Sequence, residues 1–172
     1  MALSIEFDDK PVRKDIEKLL RVMNKDELLT AIGLRQLRWI QQNFEQGGGM
    51  QFPKWRPLAD NTVVGRRLGS AAILQDTGRL KQSFQILRKG AEEIQVGTRS
   101  QVAPYHEYGT RPYVIRPRRA KILRFMTTGG VTFSKMVHHP GLPKRQMLPN
   151  KLVAENLALN IIKVALKRHG FG

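Results

Sequence analysis

The sequence predicts an α+β fold in a single domain spanning residues 1–172. Three observations predict it. Two adjacent stretches of helical period fill residues 1–46 behind a short strand. Paired strand runs flank a Thr-Thr-Gly-Gly turn inside a basic segment at 111–142, and one further long helical run closes the chain at 150–169. The expected architecture is an N-terminal helical hairpin, a small antiparallel sheet with a long basic β-hairpin, and a C-terminal helix. At 172 residues and 41% apolar content the chain can bury one sizeable core, and two independent cores are not expected.

Each element has its own signal. Leu3 to Phe7 alternates apolar and polar residues and ends at Asp8-Asp9, a strand followed by a turn. Pro11 suits the first turn of a helix, where its missing N–H costs nothing. Val12, Ile16, Leu19, Leu20 and Met23 give that helix an apolar stripe, which Asn24 closes. Asp26 and Glu27 complement the dipole at the start of a second helix, with a core face of Leu29, Ile32, Leu37, Ile40 and Phe44. So short a link makes the two an antiparallel hairpin or one bent rod. Gly47-Gly48-Gly49 stops the second helix and reads as a flexible joint.

Phe52, Trp55 and Leu58 are spaced apolar anchors in an irregular basic stretch, read as a loop and a short helix. Asp76-Thr77-Gly78 is a turn capping a helix that contains Leu80 and Phe84 and runs towards Leu87. Ile94 and Val96 alternate with polar neighbours in a strand ending at Gly97, and Val102 to Thr110 holds one helical turn stopped by Gly109. Ile122–Met126 and Val131–Val137 are the strands around Thr127-Thr128-Gly129-Gly130, and Pro140-Gly141-Leu142-Pro143 ends the second of them. Asn150 caps the last helix. Its apolar residues, from Leu152 to Leu166, lie on more than one side, so it is expected to be buried on two faces, within the subunit or between subunits.

Charge narrows the function classes. Lys+Arg number 30 against 14 Asp+Glu, a formal +16, and this surface attracts nucleic acid, anionic lipid or an acidic protein neighbour. Between Arg111 and Asn150 there are many cations and no acid. The absence of cysteine excludes disulfides, thiolate nucleophiles and Cys-containing zinc sites. The start of the chain lacks the basic and apolar regions of a signal peptide, and no run reaches the roughly 20 apolar residues of a membrane span. A cytoplasmic protein without membrane contact is expected.

Chemistry is mostly missing. The glycine run lacks the Gly-Lys-Ser/Thr ending of a phosphate loop, so no cofactor is expected. His138-His139 has no accompanying carboxylate and no nearby third ligand, so no metal is expected. His106-Glu107 is not a His-Glu-x-x-His zinc motif, because Thr110 occupies the fifth position, and no Gly-x-Ser-x-Gly elbow occurs. No catalytic residue is assigned. A basic protein that binds nucleic acid without sequence preference is the alternative that charge alone supports.

Five separated motifs then carry a resemblance. Phe52-Pro53-Lys54-Trp55-Arg56-Pro57-Leu58 precedes Ile73-Leu74-Gln75-Asp76-Thr77-Gly78-Arg79-Leu80-Lys81-Gln82-Ser83. Val96-Gly97-Thr98, Tyr105-His106-Glu107-Tyr108-Gly109-Thr110 and Pro143-Lys144-Arg145-Gln146-Met147-Leu148 follow. In this order they resemble the Mu-type phage virion morphogenesis, or tail completion, family. Ala120–Phe125, with Phe133-Ser134-Lys135 and Val137–Gly141, is similar to the related lambdoid neck and minor tail proteins. Met147 replaces the family's usual aromatic before Leu148, which is tolerable at a core position.

The resemblance implies a structural subunit with no catalysis, found in the virion neck or tail after assembly in the host cytoplasm. It implies a ring of roughly six or twelve copies, flanked by other neck, connector and tail proteins and in nonspecific contact with packaged DNA. Trp55, Leu58, Asp76, Gly78, Leu80, Gly97, Tyr105, Gly109 and Leu148 are then the expected core and turn positions. Arg116, Arg118, Arg119, Lys121, Arg124, Lys135 and Arg145 are the expected interface or DNA-facing cations.

Overall fold

The computed structural model describes Glu17 and residues 24–66, 70–90 and 93–170. The strand expected at Leu3–Phe7 and, apart from Glu17, the helix expected from Pro11 to Met23, hence the N-terminal helical hairpin, lie outside the described residues. The helices are α1 Lys25–Glu45, α2 Asp60–Val64, α3 Arg79–Gln82, α4 Ala103–Tyr108 and α5 Lys151–Arg168. The strands are β1 Phe84–Lys89, β2 Ile94–Thr98, β3 Tyr113–Ile115, β4 Leu123–Thr127, β5 Gly130–Ser134 and β6 Val137–His139. They pair two by two, β1 with β2, β3 with β6 and β4 with β5, which makes the fold α+β.

Three expectations need correction. Phe84 and Leu87 are in strand β1 and not in a helix, because α3 ends after one turn, where Ser83 Oγ donates to the Leu80 carbonyl at 2.7 Å. One turn has little stability of its own, and pairing with β2 supplies more. The run Val131–Val137 is not one strand either. Ser134 Oγ donates to the Met136 carbonyl and accepts from the Met136 N–H, a local turn that breaks the ladder. Beyond it β6 pairs antiparallel with β3, Tyr113 opposite His139 and Ile115 opposite Val137, while β4 and β5 keep their own antiparallel register from Leu123–Ser134 to Thr127–Gly130. The basic segment is therefore two nested ladders.

The third correction is the glycine run, which is a built turn and not a joint. Gly48 N donates to the Asn43 carbonyl at 2.8 Å and Trp55 N to the Gly47 carbonyl at 2.9 Å, folding the chain back on the end of α1. Gly48 has φ +84°, and a Cβ there would lie 2.6 Å from Trp55 Cδ1. Only glycine fits beneath the indole.

The described residues fall into two compact units. One comprises those within 1–37, 86–96 and 150–172. Its apolar cluster joins Leu28 and Ala165 to Ile32, Ile161, Ile162 and Leu166. Lys89 pairs with Asp26 at 3.2 Å. Asn150 caps α5 by accepting from Val153 N–H at 2.9 Å.

The other unit comprises residues 38–85 and 97–149. Its core is aromatic: Phe44 meets Trp55 edge-on with centroids 5.3 Å apart, and Phe84 at 5.7 Å. Trp39, Ile40, Leu74 and Met147 are buried with them. The helical period correctly marks Ile40 and Phe44 as core, whereas Leu28 and Trp39 are additional buried positions of α1.

Candidate functional site

In the second unit the motif around α4 is stitched to the segment before α5. Thr110 N donates to the Leu142 carbonyl at 3.0 Å, Leu142 N to Thr110 Oγ1 at 2.8 Å, and Arg145 N to the His106 carbonyl at 2.7 Å. Glu107 Oε2 accepts the N–H of Met147 at 2.7 Å and that of Leu148 at 3.4 Å. The Gln146 carbonyl in turn accepts from Asn43 Nδ2 at 3.1 Å and Trp55 Nε1 at 3.2 Å. Gly109 makes this approach feasible: its φ of 76° and ψ of 175° suit glycine alone, and a Cβ would lie 2.8 Å from the Leu142 oxygen. Widely separated motifs thus meet as one scaffold.

That scaffold walls a cleft of about 830 Å³. Its apolar lining includes Leu58, Leu74, Leu80 and Leu142, and its charged lining is Arg56, Arg66, Arg145 and Asp76, with His106 and His139. Leu74 holds φ +60°, a strained value for a leucine. Arg145 is only 4% exposed, so it is not the surface cation that its place in a basic run suggests. Its Nη2 donates to the Arg56 carbonyl at 3.1 Å, and Arg66 Nη1 reaches the carbonyls of Ala72 and Ser70. Backbone carbonyls orient these guanidiniums.

Two buried nitrogens at the cleft, Arg145 Nε and His106 Nδ1, have no hydrogen-bond partner among the described residues. Burial, then Arg145 and Arg66, holds the His106 imidazole below its usual pKa, so it is neutral at pH 7. Burial, then Arg66 and Arg56, likewise lowers the pKa of the Arg145 guanidinium.

The hairpin offers a different surface. Arg124 faces Phe133 and Met126 faces Val131 across β4 and β5, and this side is exposed, Phe133 at 58%. Leu123, Phe125 and Thr127 point the other way and are half-buried. Asn61 Oδ1, from α2, accepts the Thr128 N–H at 2.9 Å and tethers the turn. Arg116, Arg118, Arg119, Lys121, Arg124 and Lys135 are all exposed.

Among the other expected positions, Trp55 and Gly97 are buried, and Leu58, Leu80 and Leu148 are half-buried. Asp76 is exposed beside Gly78, whose φ is 71°. Tyr105 is 57% exposed, not a core residue: the helical turn points His106 and Glu107 inward instead. His138 and His139 are neighbours on β6 and project to opposite faces, so they do not converge on one ion. His139 stacks on Tyr113 at 4.7 Å and accepts the Gly141 N–H.

The bridging roles of Glu107, Asn43 and Gln146 are not apparent in the sequence, although Glu107 and Gln146 lie in its motifs. Their partners lie 40 and 103 positions away, and no local signal marks them.

No curated protein and no solved structure matches the chain. The model of the phage virion morphogenesis family does, over residues 7–167. The match includes every motif that builds the scaffold, and the chain belongs to the phage virion morphogenesis family.

Proposed function

We propose that the chain, a structural virion morphogenesis protein, is a neck or tail-completion subunit that closes into a ring of copies where tail meets head, without catalysis of its own. The exposed face of the β4–β5 hairpin carries this reading. Phe133, Met126 and Val131 form an apolar row that the described residues leave exposed, with Arg124 among them. A contiguous exposed apolar row marks an interaction surface, and identical heterologous contacts that close produce a ring. On α5, Leu152, Leu159 and Val164 are also exposed, in keeping with a helix completed by a neighbour.

Flanking partners are then other neck, connector and tail proteins. The exposed cations from Arg116 to Lys135 favour nonspecific contact with packaged DNA, whose strength should fall steeply with salt. Negative-stain microscopy of particles made without this protein tests the role. Full heads and tails that fail to join are expected, and normal infectious virions would overturn it.

A further inference from the structure

We propose that the cleft is an oxyanion site that takes a phosphate group, held by Arg145, Arg66 and Arg56 with His106 as a further contact. A guanidinium that is 4% exposed and leaves its Nε unpaired is an unfinished hydrogen-bond arrangement, and buried donors without partners call for an explanation. His106 Nδ1, on the same cleft, is unpaired as well. Both side chains line the cleft, where an oxyanion seated against them would supply the missing acceptor.

Charge points the same way. Three arginines line the cleft, and Asp76 is its one acidic lining residue among the described residues, so two positive charges are in excess. That excess matches a phosphate dianion. Backbone carbonyls orient the guanidiniums of Arg145 and Arg66. Arginine's planar fork suits phosphate oxygens. The volume of about 830 Å³ exceeds one phosphate, which leaves room for whatever group carries it. Free phosphate and the phosphate of a nucleic-acid strand share this chemistry. The inference does not depend on the ring.

The test is a titration of the full chain with sodium phosphate at fixed ionic strength, reading the His106 ring signal by NMR. A saturable shift is expected, with the apparent pKa of His106 rising as the anion offsets Arg145, Arg66 and Arg56, which line the cleft with Asp76. Arg66→Gln should weaken binding by about tenfold or more. Because Arg66 also holds the Ser70 and Ala72 carbonyls, Arg56→Gln is the second variant, its side chain being exposed. Arg118→Gln, outside the cleft, should change nothing.

A short DNA duplex is the second probe. If it shifts His106 and competes with phosphate, the source is a DNA phosphate. If only inorganic phosphate acts, the source is the free anion. Absence of a saturable shift with either, or equal weakening in Arg118→Gln, overturns the site.

Discussion

Glu107 shows how one side chain can hold two distant motifs together. Its carboxylate accepts two backbone N–H groups of the segment leading to Leu148, of which only the one at 2.7 Å is short, and one hydrogen bond to a charged group contributes about 1.5–3 kcal/mol. Glu107→Ala should therefore lower stability by about 2 kcal/mol in denaturant unfolding, whereas Tyr108→Ala, next in sequence and exposed, should stay within about 0.5 kcal/mol. His106 adds a pH dependence. Its folded-state pKa lies below the ordinary value of about 6.5, so the unfolded chain binds the proton more readily. Its contribution to stability is complete above that pH and is lost as the pH falls through the folded-state value. Thermal unfolding in phosphate-free buffer should show a decline on the acid side that His106→Gln reduces. Trp55 and Gly109 were legible in the sequence because an isolated tryptophan and a glycine after a helical turn carry local meaning. Arg145 was not, since a buried arginine and an exposed one look alike in a basic run.

At the scale of elements, periodicity located α5 and the β4–β5 turn well, because a long apolar period and a Thr-Thr-Gly-Gly turn are local signals. Asn150 was expected as a cap and does cap α5. Asn150→Ala should reduce stability by about 1 kcal/mol, read from the thermal midpoint by circular dichroism. What periodicity missed was decided by partners far along the chain. Residues 84–87 have apolar positions compatible with helix or strand, and pairing with Ile94–Thr98 selects the strand. The split between β5 and β6 depends on β3, more than twenty positions away, to which no residue of 134–137 points on its own. The glycine run looked like a joint because sequence shows its freedom, while the Trp55 ring that uses it appears only in the fold.

For the whole molecule, the formal charge is +16, and the exposed apolar row of the β4–β5 hairpin is the surface on which the proposed assembly rests. Phe133→Ser alters an exposed side chain, so the monomer's unfolding should change by no more than about 0.5 kcal/mol. Assembly should suffer, read as a drop in infectious titre with the protein still soluble. The family's place in virion building was legible from ordered motifs, although each motif alone is ordinary turn or core chemistry. A cryo-electron reconstruction of the purified virion tests the ring most directly. Copies of this chain should encircle the axis at the junction, each burying Met126, Val131 and Phe133 against the next; particles without the chain, or with that row facing solvent, would contradict it.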